Sequence, residues 1–426
     1  MTAGSRAGRL RTCRVLMSGG GRGRCEVFWC SGVLVLWFSG SLVAGYWGGD
    51  YLSDRESSSR RDFLAGKALR SEVEGASRAA GDALLGGMGE QQAGQGAQPE
   101  GGETLRLETR AMACAFSIIM NPGEHQRMWV ASDALESVHR LEQQMTVYRE
   151  DSELSRINRS APDGPVSVEA GLFGLLLKCR ELAAATEGSF DPTSGPLIAL
   201  WRRCRDAGRI PTQEEVDECR LVTGVEHVLL DEEASTVSFD RAGVELNLGG
   251  IGKGYALDCC VEQLLTQRFD GFVMHGGQSS LLARGDHNQQ GGWPVGIGNP
   301  LFTDKRLGTI LLRDQAMSTS GSNIQYFRHE GRRYGHILDP RTGWPVEGTL
   351  SVTVVAPSAA MADALSTAFF VGGVEIARRC CDNLPHVGAV LIPRPERGRR
   401  VRPVVIGIPD DQLFWDLEQV ELSSEL

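Results

Sequence analysis

The chain has 426 residues, of which 41% are hydrophobic and 23% charged, enough for one large domain with extensions or for two to three average ones. Its formal net charge of -10 argues against nonspecific nucleic-acid binding through a basic surface. The eleven cysteines stand singly or as the neighbours Cys259-Cys260 and Cys380-Cys381. Without a CxxC the paired spacing of a structural zinc site is missing, and Cys114, Cys179, Cys204 and Cys219 read as small core hydrophobes.

Residues 1–48 form an arginine-rich start followed by an apolar run. Residues 1–24 carry Arg6, Arg9, Arg11, Arg14, Arg22 and Arg24 without any acid, and residues 27–47 read VFWCSGVLVLWFSGSLVAGYW. About 20 apolar residues suffice to cross a bilayer, and the preceding arginines would stay on the cytoplasmic side. The expectation is a signal or membrane anchor, with retention favoured over cleavage and the remainder exported. Residues 49–103 are polar and rich in Gly, Ala, Gln, Ser and Glu, and they cannot bury enough apolar area to offset chain entropy. They are expected to be a disordered linker with a short helix near residues 61–69.

Residues 104–426 are the globular domain. Helical spacing joins Trp129, Val130, Ala134, Leu135, Val138, Leu141 and Met145, and again Ala256, Leu257, Cys260, Val261, Leu264 and Leu265. Short alternating or β-branched runs predict strands at residues 116–120, 227–230, 244–248, 271–274, 307–312 and 350–356. Strand and helix do not alternate regularly, so the expected class is α+β with a mixed or antiparallel sheet.

Four segments carry chemistry. In residues 141–158 and 187–201 polar residues neighbour Tyr148, Phe190 and Trp201, aromatic side chains that serve either as walls for a flat ligand or as core. Residues 244–258 (VELNLGGIGKGYALD) run into four glycines and a lysine before a helix, a place where backbone amides approach an anion; the spacing is neither a Walker loop nor the Rossmann fingerprint. Residues 318–346 crowd His336, Asp339, Arg341 and Thr342 beside Gly343. That crowding suits phosphate chemistry, or else a turn closed by Asp339 and Arg341. In residues 351–371 a strand leads to a helix with Ser358 as its N-cap, and Asp363 and Thr367 share one helical face, as two oxygen ligands of Mg2+ would. Replacing Asp363 by alanine is expected to remove metal-dependent turnover and to spare the fold, because the apolar face of that helix is untouched.

Taken in order, residues 145–158, FDPTSGPL (190–197), GGIGKGYALD (249–258), TSG (319–321), HILDPRTG (336–343) and ADALST (362–367) resemble the ApbE family, the FAD:protein FMN transferases. The resemblance spans residues 112–373. It implies a mixed-sheet α+β fold with FAD in a cleft and Mg2+ near the diphosphate. The implied reaction moves FMN from FAD to a Ser or Thr of a target flavoprotein, such as a membrane redox-complex subunit, with release of AMP. Metal ligands would be Asp363 and Thr367 with backbone oxygens near Gly250 and Ser366. Flavin contacts would come from Met112, Tyr148, Phe190, Asp191, Pro192, Asn247, Lys253 and Ile337, and the catalytic histidine would be His336. The chain departs from the family pattern where Met112-Ala113-Cys114 replaces MGT, where Asn247 replaces an acid, and where Gly276-Gly277-Gln278 replaces GGD.

Overall fold

The computed structural model describes residues 26–30, 33–38, 41–46, 104–122, 127–322, 326–395 and 400–420. The apolar run near the start is an antiparallel meander of β1 (Glu26–Cys30), β2 (Val33–Phe38) and β3 (Ser41–Tyr46), and not one helix. Its Val, Leu, Trp and Phe content suits strands, and Ser31-Gly32 and Ser39-Gly40 punctuate it. The expected linker at 49–103 lies outside the described residues.

The domain is built on an eight-stranded sheet. Along the chain come β4 (Leu105–Ala111), β5 (Cys114–Met120), helix α1 (Met128–Met145), α2 (Glu153–Ser160), β6 (Val166–Ser167), α3 (Ala170–Ala185), α4 (Gly195–Asp206), α5 (Gln213–Arg220), β7 (Val228–Asp231) and β8 (Thr236–Phe239). They are followed by α6 (Gly252–Thr266), β9 (Phe272–Gly276), β10 (Ser280–Arg284), β11 (Trp293–Gly298), β12 (Arg306–Leu312), β13 (Ala316–Gly321), β14 (Tyr326–His329) and β15 (Arg332–Gly335). Last come β16 (Thr349–Ala356), α7 (Ala359–Asn383), β17 (Gly388–Pro393), β18 (Val404–Ile406) and β19 (Leu413–Trp415). The large sheet runs β18-β17-β16-β13-β10-β9-β5-β4. Each of its neighbouring pairs is antiparallel, which corrects the mixed sheet to an antiparallel one.

Both faces of this sheet are covered. Successive strand residues point to opposite faces, so Phe116, Ile118 and Met120 join the core under α1, α6 and α7, whereas Ile119 joins a second core against the β11-β12-β19 sheet. Helix α7 is long and apolar enough to span a membrane, yet Ala362, Leu365, Ala368 and Phe369 are wholly buried and mark it as a core helix. Its direction breaks at Gly373, where φ is 70.

One predicted strand is absent. Residues 244–248 are extended and alternate buried and exposed, but they pair only through an isolated bridge from Glu245 to Ser194. The Asn158 side chain takes the place of a neighbouring strand. Its Nδ2 donates to the Leu246 carbonyl at 2.9 Å and its Oδ1 accepts from the Leu246 amide at 2.9 Å.

The β4–β5 turn stores strain. Ala111 pairs with Cys114, so Met112 and Ala113 are the two turn residues, with φ of 50 and 59. Positive φ at both positions favours Asn-Gly, and a Cβ there is unfavourable. The Glu142 carboxylate accepts from the Met112 amide at 2.7 Å and fixes the turn. Ala113→Gly is therefore expected to raise stability by about 0.5–1 kcal/mol, read as a higher urea midpoint at unchanged slope. An unchanged midpoint would mean that Ala113 carries no strain.

His275 on β9 is buried, and its Nδ1 lies 2.7 Å from the Gly277 carbonyl. Its Nε2 has no hydrogen-bond partner among the described residues. Burial, helped by the Arg106 guanidinium, pushes its pKa from 6.5 down to about 4. Between those values the unfolded chain binds a proton that the folded chain refuses, so stability is present above pH 6.5 and is lost as pH falls toward 4. By pH 5 the loss is about 2 kcal/mol. In His275→Asn, whose amide can still donate to Gly277, urea midpoints should depend less steeply on pH between 7 and 5. Equal slopes in parent and variant would remove His275 as the cause.

Candidate functional site

Asp363 occupies the first turns of α7, whose N-terminus is doubly capped. Ser358 Oγ accepts from the Met361 amide at 3.3 Å, and the Asp258 carboxylate accepts from the Ala359 and Ala360 amides at 2.7 and 2.9 Å. The Asp258 carboxyl is held above its ordinary range, chiefly by burial. Helix position then aims Asp363 at the sheet, where it is 4% exposed.

Asp363 is held from three elements. Its Oδ1 accepts from Ser280 Oγ at 2.8 Å and Ser318 Oγ at 3.1 Å, hydroxyls that face each other across the β10–β13 pair. Its Oδ2 accepts from the Gly254 amide at 3.1 Å, at the start of α6, and lies 3.6 Å from the Lys253 ammonium. A buried carboxylate needs this density of donors, since charge without partners is costly to bury. Alanine here would take the carboxylate acceptor from two hydroxyls, an amide and a cation, which argues that Asp363→Ala costs stability, against the expectation that it spares the fold.

Three other expected ligands gather around it. Thr367 Oγ1 lies 3.3 Å from the Asp363 carbonyl, and Ser366 Oγ bonds both that carbonyl at 3.0 Å and Ser320 Oγ at 2.9 Å. Gly250 faces Thr367 and Phe190 so closely that a Cβ would stand 3.6 Å from Thr367 Oγ1 and 3.4 Å from the Phe190 ring. Phe190 to Pro192 join the same loop, because the Asn247 amide donates to the Pro192 carbonyl at 2.7 Å. The Asn247 side chain accepts from the Gly249 amide at 2.9 Å, a bond an aspartate oxygen could equally make. Gln278 is exposed in the turn between β9 and β10. Cys114 borders Gly277, whose added Cβ would be 3.4 Å from its Sγ. Burial pushes that thiol's pKa up, and nearby Lys253 opposes the rise.

The remaining expected residues have partners of their own. The Asp191 carboxylate accepts from Thr193 at 2.8 and 2.5 Å and from the Val225 amide at 3.2 Å, and burial raises its pKa. Tyr148 is exposed, with the Arg202 guanidinium 4.6 Å from its ring centre. Trp201 is core and not a ligand wall: it sits edge-on to Trp344 at 5.3 Å and donates Nε1 to the Gly343 carbonyl at 2.8 Å. His336 is exposed just past β15, and the partly buried Ile337 rests against the main core. Asp339 and Arg341 close a turn on each other, the Arg341 side chain donating to the carboxylate at 2.9 and 2.8 Å.

Sequence reasoning passed over Ser280, Ser318, Asp258 and Glu142. Two serines and two acids without helical or metal spacing give no signal until the strands and helices are assembled. Among the described residues no three His, Cys, Asp or Glu side chains cluster as a metal site. A cation at Asp363 would thus draw on hydroxyl, carbonyl, substrate and water oxygens, the set Mg2+ accepts.

The family model that matches this chain is the ApbE family, over residues 112–391. The chain belongs to the ApbE family. It is similar to the FAD:protein FMN transferase of Vibrio cholerae, 32% identical over 280 residues that cover 64% of this chain and 83% of the relative. A Klebsiella pneumoniae protein of the same name is 31% identical over 292 residues, 68% of this chain and 88% of that one. Among solved structures, the ApbE protein of Thermotoga maritima superposes with a TM-score of 0.63 at 30% identity, covering 68% of this chain and 94% of its own. The Vibrio cholerae flavin transferase ApbE gives 0.63 at 28% identity over 71% and 97% of the two chains.

Proposed function

We propose that this ApbE-family chain is a flavin transferase that splits FAD, joins the FMN half to a Ser or Thr hydroxyl of an acceptor protein and releases AMP. The observation that carries the reading is the buried Asp363, tied to the glycine loop through Gly254 and Lys253 and flanked by Ser366, Thr367 and Gly250. Asp363 and Thr367, with backbone oxygens near Gly250 and Ser366, would hold Mg2+. When bound, the ion would offset charge on the diphosphate.

The chain's own residues supply the rest. The glycine loop brings backbone amides toward the phosphates, and Lys253 adds positive charge beside it. Phe190, Pro192 and Asn247 shape one side of the flavin cleft, with Met112, Tyr148 and Ile337 as its further contacts. In the transfer, the acceptor oxygen bonds to the FMN phosphorus, the bond from that phosphorus to the AMP oxygen breaks, and His336 takes the hydroxyl proton. An exposed histidine suits a nucleophile that arrives on a second protein.

Incubating the protein with FAD, Mg2+ and a flavoprotein acceptor tests the reading. Transfer raises the acceptor's mass by one FMN. Free FMN without that increase would make the protein an FAD hydrolase, and neither product would make it a flavin-binding member without turnover. We further propose that residues 1–48 anchor the protein with its domain outside the cytoplasm, in a bacterial periplasm-like compartment. Protease that fails to cut the domain in cells with opened outer layers would overturn that placement.

A further inference from the structure

The β14–β15 hairpin has two unlike faces. On the inner face Phe327 and Tyr334 stack at 5.3 Å between centroids and both lean on Trp201, at 6.0 and 5.7 Å. Those contacts fasten the hairpin to α4. The outer face carries Tyr326, Arg328 and Arg333, all exposed. Arg328 and Arg333 are direct cross-strand partners, and the Arg333 guanidinium lies 4.3 Å from the Tyr326 ring centre.

Two like charges placed directly opposite on a two-stranded ribbon weaken it. In a chain of net charge -10, acids were available to relieve the repulsion. Neighbouring arginines show such relief: Arg332 pairs with Glu347 at 2.8 Å and Arg341 with Asp339 at 2.8 Å. Arg328 and Arg333 have no carboxylate partner among the described residues. The strand that bears Arg333 ends at Gly335, immediately before His336.

We propose that Tyr326, Arg328 and Arg333 form the docking face for an acidic segment of the acceptor protein. Its carboxylates pair with the two guanidinium forks and bring the flanking Ser or Thr to His336. The inference rests on the transferase reading for the identity of the partner. Planar forks suit bidentate carboxylates. An anionic membrane is the weaker match, because lipid-binding basic clusters hold about 4–8 cations near the surface, and this face offers two.

The test uses fluorescein-labelled peptides with one Thr set among aspartates, asparagines or lysines, titrated with the full chain. The aspartate peptide should bind about tenfold tighter than the asparagine one at low salt, and added salt should erase the difference. R328Q/R333Q should lose the preference while R328K/R333K keeps part of it. FAD affinity, read by flavin fluorescence, and the thermal midpoint should not fall in either variant. No preference in the parent, a preference that survives R328Q/R333Q, or binding only to phosphatidylglycerol vesicles would overturn the proposal. A parent that fails to bind FAD would instead sink the transferase reading, and the peptide titrations do not depend on it.

Discussion

Asp363→Ala is expected to abolish metal-dependent flavin transfer and to destabilise the protein by about 3 kcal/mol or more, the usual consequence of breaking a buried ion pair and orphaning its donors. The substitution removes the carboxylate acceptor of the Gly254 amide, of Ser280 and of Ser318, whose hydroxyls keep only each other and neighbouring serines, and it leaves the Lys253 ammonium without its carboxylate. Lost activity in this variant alone would therefore not separate chemistry from folding. Asp363→Asn makes the separation. An amide oxygen can still accept from the two serine hydroxyls, and the side chain keeps its volume, but the negative charge is gone and an NH2 group faces the Gly254 amide. Asn should keep most of the cooperative thermal transition and lose turnover by about 100-fold or more. Isothermal titration with Mg2+ should show weaker binding in Asn than in the parent. Parent-like turnover by Asp363→Asn at limiting Mg2+ would remove Asp363 from the metal site.

Much of this arrangement was legible in the sequence where a single helix carries it. Asp363, Ser366 and Thr367 fall within five residues of one helix, so periodicity alone places them on neighbouring positions. The Ser358 cap was legible for the same reason, being a local pairing between a side chain and an amide three residues on. Partners that converge from different strands were not legible. Ser280 and Ser318 meet only because β10 and β13 are neighbours in register, although 38 residues separate them. The failed strand at 244–248 has a related cause. Alternation of Val244, Leu246 and Leu248 reports burial on one side, and it is indifferent to whether a strand or the amide of Asn158 satisfies the backbone. Of the two readings that the crowding of Asp339 and Arg341 left open in sequence, phosphate chemistry or a closed turn, the structure shows the turn.

The cysteines show how one observation bears on a proposed compartment. An exported protein meets oxidising conditions in which exposed thiols pair. Among the described residues, Cys179, Cys204, Cys260 and Cys380 are free and buried, and Cys114, Cys219, Cys259 and Cys381 are free and partly buried. Burial pushes the Cys260 thiol up to about 12 and that of Cys380 to about 11, which leaves little thiolate to react. The buried thiols, kept neutral, are thus compatible with either side of a membrane, and protease access to the domain decides the compartment.

Gly254→Ala should be the most damaging small substitution in the domain, against the sign that helix propensity predicts. Within α6 alanine is the better helix former by about 1 kcal/mol, and on that ground the change should stabilise. The position, however, faces the first turn of α7 across backbone. An added Cβ would stand 2.1 Å from the Ala359 carbonyl oxygen, 2.4 Å from its carbon and 2.6 Å from the Ala360 nitrogen. Those atoms cannot swing aside as a side chain can. Asp258, four residues on and hence on the same face of α6, holds the Ala359 and Ala360 amides at 2.7 and 2.9 Å, so the helices cannot part without uncapping α7. The Gly254 amide also donates to Asp363, so any shift is passed to the candidate metal ligand. Overpacking costs typically about 1–3 kcal/mol, and a clash with fixed backbone belongs at the upper end of that range, so FAD transfer should fall with the thermal midpoint. Gly252→Ala supplies the control from the same helix turn. Its Cβ would meet only Leu248 and Met145 side-chain atoms at 3.9 Å, an ordinary contact, so its midpoint should stay level or rise. Two glycines two residues apart are thereby expected to respond to the same substitution with opposite signs, and a Gly254→Ala protein as stable as Gly252→Ala would show that α6 and α7 do not approach as closely as the site requires.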